Sequence, residues 1–271
     1  MSAFGEMGPT GGLDQWIKQC PLVTALRDDS SRGDGVRVAL VDTAVSVHQL
    51  ISRHPGAKLV GRAARLQAVA NQGMNHGTLM ADVLLRLAPG SLIDSHDVFH
   101  GRPTTEPEAI LAALSQIRVD GLCKVINLSL GIPEERWDSP KGQMARQMLG
   151  REILACYRAG IVVVASAHNA HPALQSAPAD NPPPLISVAK GDFDDPFRVD
   201  YHPGDTAEFR AKATGYWGIL GTTPSSSTAT AHATGLICRI LGLAPHLGPF
   251  EVKALLKWYS TNQITVHAST L

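Results

Sequence analysis

The chain has 271 residues whose 24 basic and 24 acidic side chains cancel, with a pI near 7.2. That balance gives no electrostatic footing for a nucleic-acid partner or an anionic membrane surface. Hydrophobic residues make up 44% and aromatics only 5%, so the core is expected to be Val, Leu, Ile and Ala, as in parallel sheets covered by helices.

No basic-then-apolar signal opens the sequence, and no run of 18 apolar residues occurs. Cys20, Cys123, Cys156 and Cys238 are widely spread without C-x-x-C spacing, which reads as buried reduced thiols rather than a disulfide framework or metal site. A cytoplasmic location is the expectation.

Residues 1–34, rich in Gly, Asp and Ser, read as an N-terminal extension holding one short amphipathic piece (Leu13, Trp16, Ile17). Residues 35–271 read as one domain. It opens with the apolar run Val36–Val41, stopped by Asp42, the pattern of a buried parallel strand with a carboxylate at its C-terminal edge. Asn75 is a plausible N-cap for a helix carrying Leu79, Met80, Val83, Leu84 and Leu87, which Ala88-Pro89-Gly90 ends. Residues 91–99 read as a strand, 106–117 as a helix, 124–131 as a strand, 143–159 as a helix and 161–167 as the clearest buried strand. A loop with five prolines spans 168–184, then a strand runs over 185–189, with short strand candidates at 207–209 and 217–220. Two helices close the chain, one after Ser225-Ser226-Ser227 and one over 249–259. Strand–helix alternation of this kind predicts a doubly wound, mostly parallel α/β sheet with helices on both faces.

Asp42, His76 and Ser227 each sit at the end of a core element. Taken singly, each has an ordinary reading: Asp42 as a sheet-edge carboxylate or cap, His76 as a first-turn surface residue, Ser227 as an N-cap. Asn169 likewise reads as a turn asparagine. Their order matters more. Asp, then His, then Ser is the subtilisin order, whereas an α/β-hydrolase places its serine first in G-x-S-x-G.

Residue by residue, the likeness extends further. Val38–Val45 resembles the subtilase strand ending in Asp-Thr-Gly, with Ala44 in place of the glycine. Asn75–Ala81 resembles the His-Gly-Thr-x-x-Ala motif, and Val125–Gly131 the strand flanking the substrate. Ala159–Asn169 is similar to the strand supplying the oxyanion asparagine. Ser225–Gly235 resembles Gly-Thr-Ser-x-Ala-x-Pro-His-x-x-Gly, with Ser227, Ala229, His232 and Gly235 in register. These motifs run from about Val36 to Tyr259 and resemble a compact intracellular member of the subtilisin-like serine peptidases.

The resemblance implies Ser227 as nucleophile, His76 as general base and acid, Asp42 as its partner and Asn169 as oxyanion donor. It implies substrate contacts at Ser129, Leu130, Gly131, Ser166, Ala167 and His168, with the His168 imidazole narrowing or polarising the pocket, or turned to solvent. His232 is expected to be scaffold. Ser225-Ser226 in place of Gly-Thr implies loss of a permissive backbone position. The short segment from His76 to Ala88 implies no tight calcium loop, and no cofactor is expected. With no pro-domain expected, restraint would come from narrow substrate choice, with the first 34 residues near the cleft. The function implied is selective processing, such as leader removal from a precursor peptide. General intracellular turnover, or a degenerate subtilase that only binds peptides, are the alternatives.

Overall fold

The computed structural model describes residues 22–60, 75–180 and 184–268. Strand β1 (Arg37–Asp42) is central, with β2 (Lys58–Val60) and β3 (Leu92–Asp97) to one side. To the other lie β4 (Val125–Leu128), β6 (Val162–Ser166), β8 (Ile186–Gly191), β10 (Phe209–Lys212) and β9 (Val199–Tyr201). The eight strands run in the order β2-β3-β1-β4-β6-β8-β10-β9, and all neighbours are parallel except β10 and β9. A separate two-residue ribbon pairs β5 (Ile132–Pro133) with β7 (Ser176–Ala177), Pro133 opposite Ser176.

Alternation along the strands divides the core between the two faces. Val38, Leu40, Val125, Val162 and Val164 join one cluster. That cluster is covered by α3 (His76–Leu87), α6 (Ser226–Leu243) and α7 (Pro249–Ala268). Ala39, Val41, Ile126, Leu128, Val163 and Ala165 join the other, under α4 (Pro107–Asp120) and α5 (Pro140–Arg158). Two short helices, α1 (Leu22–Ala25) and α2 (Val47–Arg53), complete the described helices. The mostly parallel, doubly wound sheet is therefore as the strand–helix alternation implies.

Three features depart from the reading of the sequence. Residues 217–220 are not a strand: Gly218–Gly221 forms a 3₁₀ turn, and Gly218 takes φ 52°, a left-handed value that ends extended backbone. β2 and β9 carried no readable signal, because three residues are too few for a period and both lie at sheet edges. The described part of the N-terminal segment is bound into the domain, with Leu22 and Leu26 fully buried in the core. This described part leads into the N-terminus of β1, at the edge opposite Asp42. Leu13, Trp16, Ile17 and Cys20 lie outside the described residues, whereas Cys123, Cys156 and Cys238 are buried free thiols. No helix among the described residues is long and apolar enough to cross a membrane.

That far edge is tied together by Arg239 of α6, itself buried. Its guanidinium donates to the carbonyls of Leu26 (3.0 Å), Asp28 (2.7 Å) and Leu87, and Ser31 donates back to the Arg239 carbonyl at 2.6 Å. Replacing the side chain orphans three carbonyls at once. Arg239→Leu is expected to cost about 2–4 kcal/mol of stability, read as a lower urea midpoint. An unchanged midpoint would refute this role.

Candidate active site

Because β1, β4 and β6 are parallel neighbours, their C-termini share one edge, the edge where open α/β sheets place their sites. Asp42 ends β1 with its carboxylate fully buried. Its Oδ1 accepts the Thr43 N–H at 2.7 Å, and both oxygens lie 2.8–2.9 Å from His76 Nδ1. A carboxylate can only accept, so Nδ1 carries the proton and Nε2 keeps a lone pair. Burial by itself lowers the His76 pKa, but the Asp42 charge and hydrogen bond outweigh it and hold the pKa above its ordinary value.

The histidine is delivered by the start of α3. Asn75 caps that helix, its Oδ1 accepting the Thr78 N–H at 3.0 Å. Gly77 is required by close approach: a Cβ there would fall 2.1 Å from the Thr43 carbonyl oxygen. The helix can therefore press against the exit of β1 and bring His76 over Asp42.

The serine run resolves into three different jobs. Ser225 is the N-cap of α6, accepting the Thr228 N–H at 3.1 Å. Its backbone is extended (φ −138°, ψ 149°), so no permissive residue is needed there and the missing glycine costs nothing. Ser226 is buried against the His168 carbonyl. Ser227 is partly exposed and alone of the three borders the cavity beside Asn169. Its Oγ donates to the Ser129 carbonyl at 3.0 Å, and no hydrogen bond joins it to His76 among the described residues. Ser129 answers by donating its hydroxyl to the Ser227 carbonyl at 2.9 Å.

Asn169, on the loop after β6, accepts the Ser226 N–H through Oδ1 at 2.8 Å. That bond fixes which end of the amide is the acceptor and leaves the NH₂ group as donor. The Ser227 N–H has no partner among the described residues. Two donors thus stand beside the serine at a helix N-terminus, where the macrodipole favours negative charge.

Of the expected substrate contacts, Gly131, Ser166, Ala167 and His168 line a cavity of about 220 Å³ that Ser227 and Asn169 also border. Pro133 and Ser176 complete it. His168 borders this cavity, and its Nδ1 accepts the Ala170 N–H at 3.0 Å. Ser129 is committed to Ser227, whereas Leu130 turns into the core and does not line the cavity. His232 is buried, bonded through Nδ1 to the Thr228 carbonyl and at Nε2 to the Tyr216 hydroxyl (3.0 Å each). Burial pushes its pKa down to about 4, so it is a neutral scaffold imidazole.

Three contributors were missed in the sequence. Asn127 donates to the Ser129 hydroxyl at 2.9 Å and accepts from Thr234 at 2.8 Å, a buried polar chain leading from α6 to the serine. An Asn inside an apolar strand and a Thr inside an apolar helix are the signals that were available for them. Ser176 sits in the proline-rich loop and had no signal. Among the described residues no group of three His, Cys, Asp or Glu is placed to hold a metal ion, and α3 runs unbroken from His76 to Leu87.

No protein-family model and no curated protein matches the chain. Solved structures do. A lanthipeptide protease superposes with a TM-score of 0.60 at 18% identity, covering 90% of this chain and 88% of that one. The prenylagaramide maturation protease PagA gives 0.59 at 20% identity, over 83% and 82% of the two chains. A cold-adapted subtilisin-like serine proteinase gives 0.58 at 17% identity, over 85% and 84%. At these identities the likeness establishes a subtilisin-like fold.

The Asp42–His76 pairing sets a titration. Followed by NMR, the His76 imidazole is expected to titrate above 6.5, the ordinary histidine value. Asp42→Asn removes the charge that raises it and is expected to bring the midpoint down. A His76 midpoint indifferent to that substitution would refute the electrostatic coupling.

Proposed function

We propose that this protein is a serine endopeptidase that hydrolyses peptide bonds through Asp42, His76 and Ser227. The observation that carries the reading is the Asp42–His76 pair. A buried carboxylate fixes Nδ1–H, so that Nε2 faces the task of a base on the edge where Ser227 opens α6.

In this reading a rotation about χ1 takes Ser227 Oγ from the Ser129 carbonyl to His76 Nε2. Unbound sites commonly hold such bonds long or misaligned. Oγ attacks the scissile carbonyl carbon while Nε2 takes its proton. The Asn169 amide and the Ser227 N–H stabilise the oxyanion. The imidazolium, held by Asp42, then protonates the leaving amine as the C–N bond breaks. Water, deprotonated by the same Nε2, hydrolyses the acyl-enzyme and restores the serine. Only neutral His76 can act as base, so activity is lost as pH falls through its raised pKa. None of these steps needs a metal, and we propose a metal-independent enzyme acting in the cytoplasm.

Selective processing, such as leader removal from a precursor peptide, is the role we favour. It is supported by the likeness in fold to a lanthipeptide protease and a maturation protease. It is supported too by a small, walled pocket beside the serine.

Ser227→Ala is expected to abolish turnover, and Asn169→Ala to lower kcat by about 10²–10³; the handle is cleavage of a diverse peptide library. Full turnover by purified Ser227→Ala would overturn the assignment. A fluorophosphonate should label Ser227 covalently, whereas an unlabelled protein that still binds peptides would be a recognition module. Chelation with EDTA is expected to leave both the rate and the melting temperature unchanged.

A further inference from the structure

The wall of the cavity beside Ser227 holds a hydroxyl with nothing to bond to. Ser176 is 3% exposed, and its Oγ has no hydrogen-bond partner among the described residues. The reason lies in its neighbours. Its partner across the β5–β7 ribbon is Pro133, which has no N–H to offer. On the other side is Gly131, where a Cβ would fall 2.6 Å from the Ser176 Oγ and 3.0 Å from its Cβ. The hydroxyl therefore occupies the space that the missing Gly131 side chain leaves. Ser176 is one of the residues around the cavity that Ser227, Ser166 and His168 also line. A buried, unpartnered hydroxyl is destabilising in the folded chain, and such groups in a native structure call for an explanation.

We infer that Ser176 is a specificity-determining residue that selects substrates with an uncharged hydrogen-bonding side chain, a carboxamide or a hydroxyl, on the acyl side of the scissile bond. This inference rests on the peptidase reading of Ser227. The rest of the lining agrees with it. None of the eight residues around the cavity is Asp, Glu, Lys or Arg, so an ionised substrate side chain would be buried without a counter-charge. The His168 Nδ1 is an acceptor for the Ala170 N–H, which places the proton of the neutral ring on Nε2. In that tautomer a residue that borders the cavity carries a donor at Nε2. At about 220 Å³ the cavity admits Leu as readily as Asn, so hydrogen bonding, not volume, makes the distinction. A site that hydrogen-bonds its substrate rejects the apolar isostere because its own polar group is left unpaired.

The test uses four peptide aldehydes, identical except for Asn, Leu, Thr or Val at the residue bearing the aldehyde. Each competes with a fluorophosphonate for Ser227 of the full-length protein. Asn is expected to protect about 10- to 100-fold better than Leu, and Thr better than Val by a similar factor. In Ser176→Ala both ratios should fall towards one through weaker protection by Asn and Thr, with Leu and Val unchanged. Ser176→Cys, which keeps the shape but donates weakly, should fall between. The labelling rate without competitor reports that each variant is folded. Equal protection within each pair, no protection by any aldehyde, or a loss in Ser176→Ala shared by all four would overturn the inference while labelling upholds the peptidase reading. Absence of labelling in the unmutated protein would overturn both.

Discussion

Helix α6 is buried on nearly every side: from Ser226 to Leu241 every residue except Ser227 is inside the protein. Yet the helix carries Ser, Thr, His and Arg side chains, each of which must find a partner or pay a desolvation penalty. Thr230 bonds back to the Ser226 carbonyl, and His232 to the Thr228 carbonyl and Tyr216. Thr234 reaches Asn127 of β4, which holds Ser129, which holds the Ser227 carbonyl. The requirement that buried polar groups be satisfied thus fixes the rotation of α6 about its own axis. It leaves one hydroxyl of the helix, that of Ser227, partly outside, on the cavity that Asn169 also borders.

The two ends of this helix divide the labour. Arg239, about 18 Å along the axis from Ser227 at the usual helical rise, donates to carbonyls of three segments and anchors the far edge. The N-terminal end is left with donors to spare. Ser225 and Asn169 satisfy or use two of its first-turn groups, and the Ser227 N–H remains. A helix start of this kind favours negative charge in its neighbourhood. The negative charge already present, Asp42, is kept from it by being spent on Thr43 and His76.

The cavity beside Ser227 follows the same logic in a different element. The β5–β7 ribbon is too short to satisfy its own side chains, and a proline and a glycine flank Ser176. What would be a defect in a core is here an unfilled hydrogen-bonding position beside a cavity that Ser227 borders.

Much of this was legible in the chain. The apolar run stopped by Asp42 and the stripe after Asn75 declare buried elements by their period. The five motifs in order declare the fold, because residue type at the end of a core element is set locally by capping and close approach, as at Asn75 and Gly77. The sequence by itself determined the sheet and the edge on which Asp42, His76, Asn169 and Ser227 stand. It did not determine that Ser225 needs no glycine, that Leu130 turns inward, or that residues 217–220 coil. Nor did it reveal Asn127, Thr234 and Ser176 as parts of the site. Those depend on which groups from distant segments lie within about 3 Å of one another. Hydrogen-bond satisfaction between residues as far apart as Asn127 and Thr234 leaves no period in the sequence, and only the packed tertiary structure decides it.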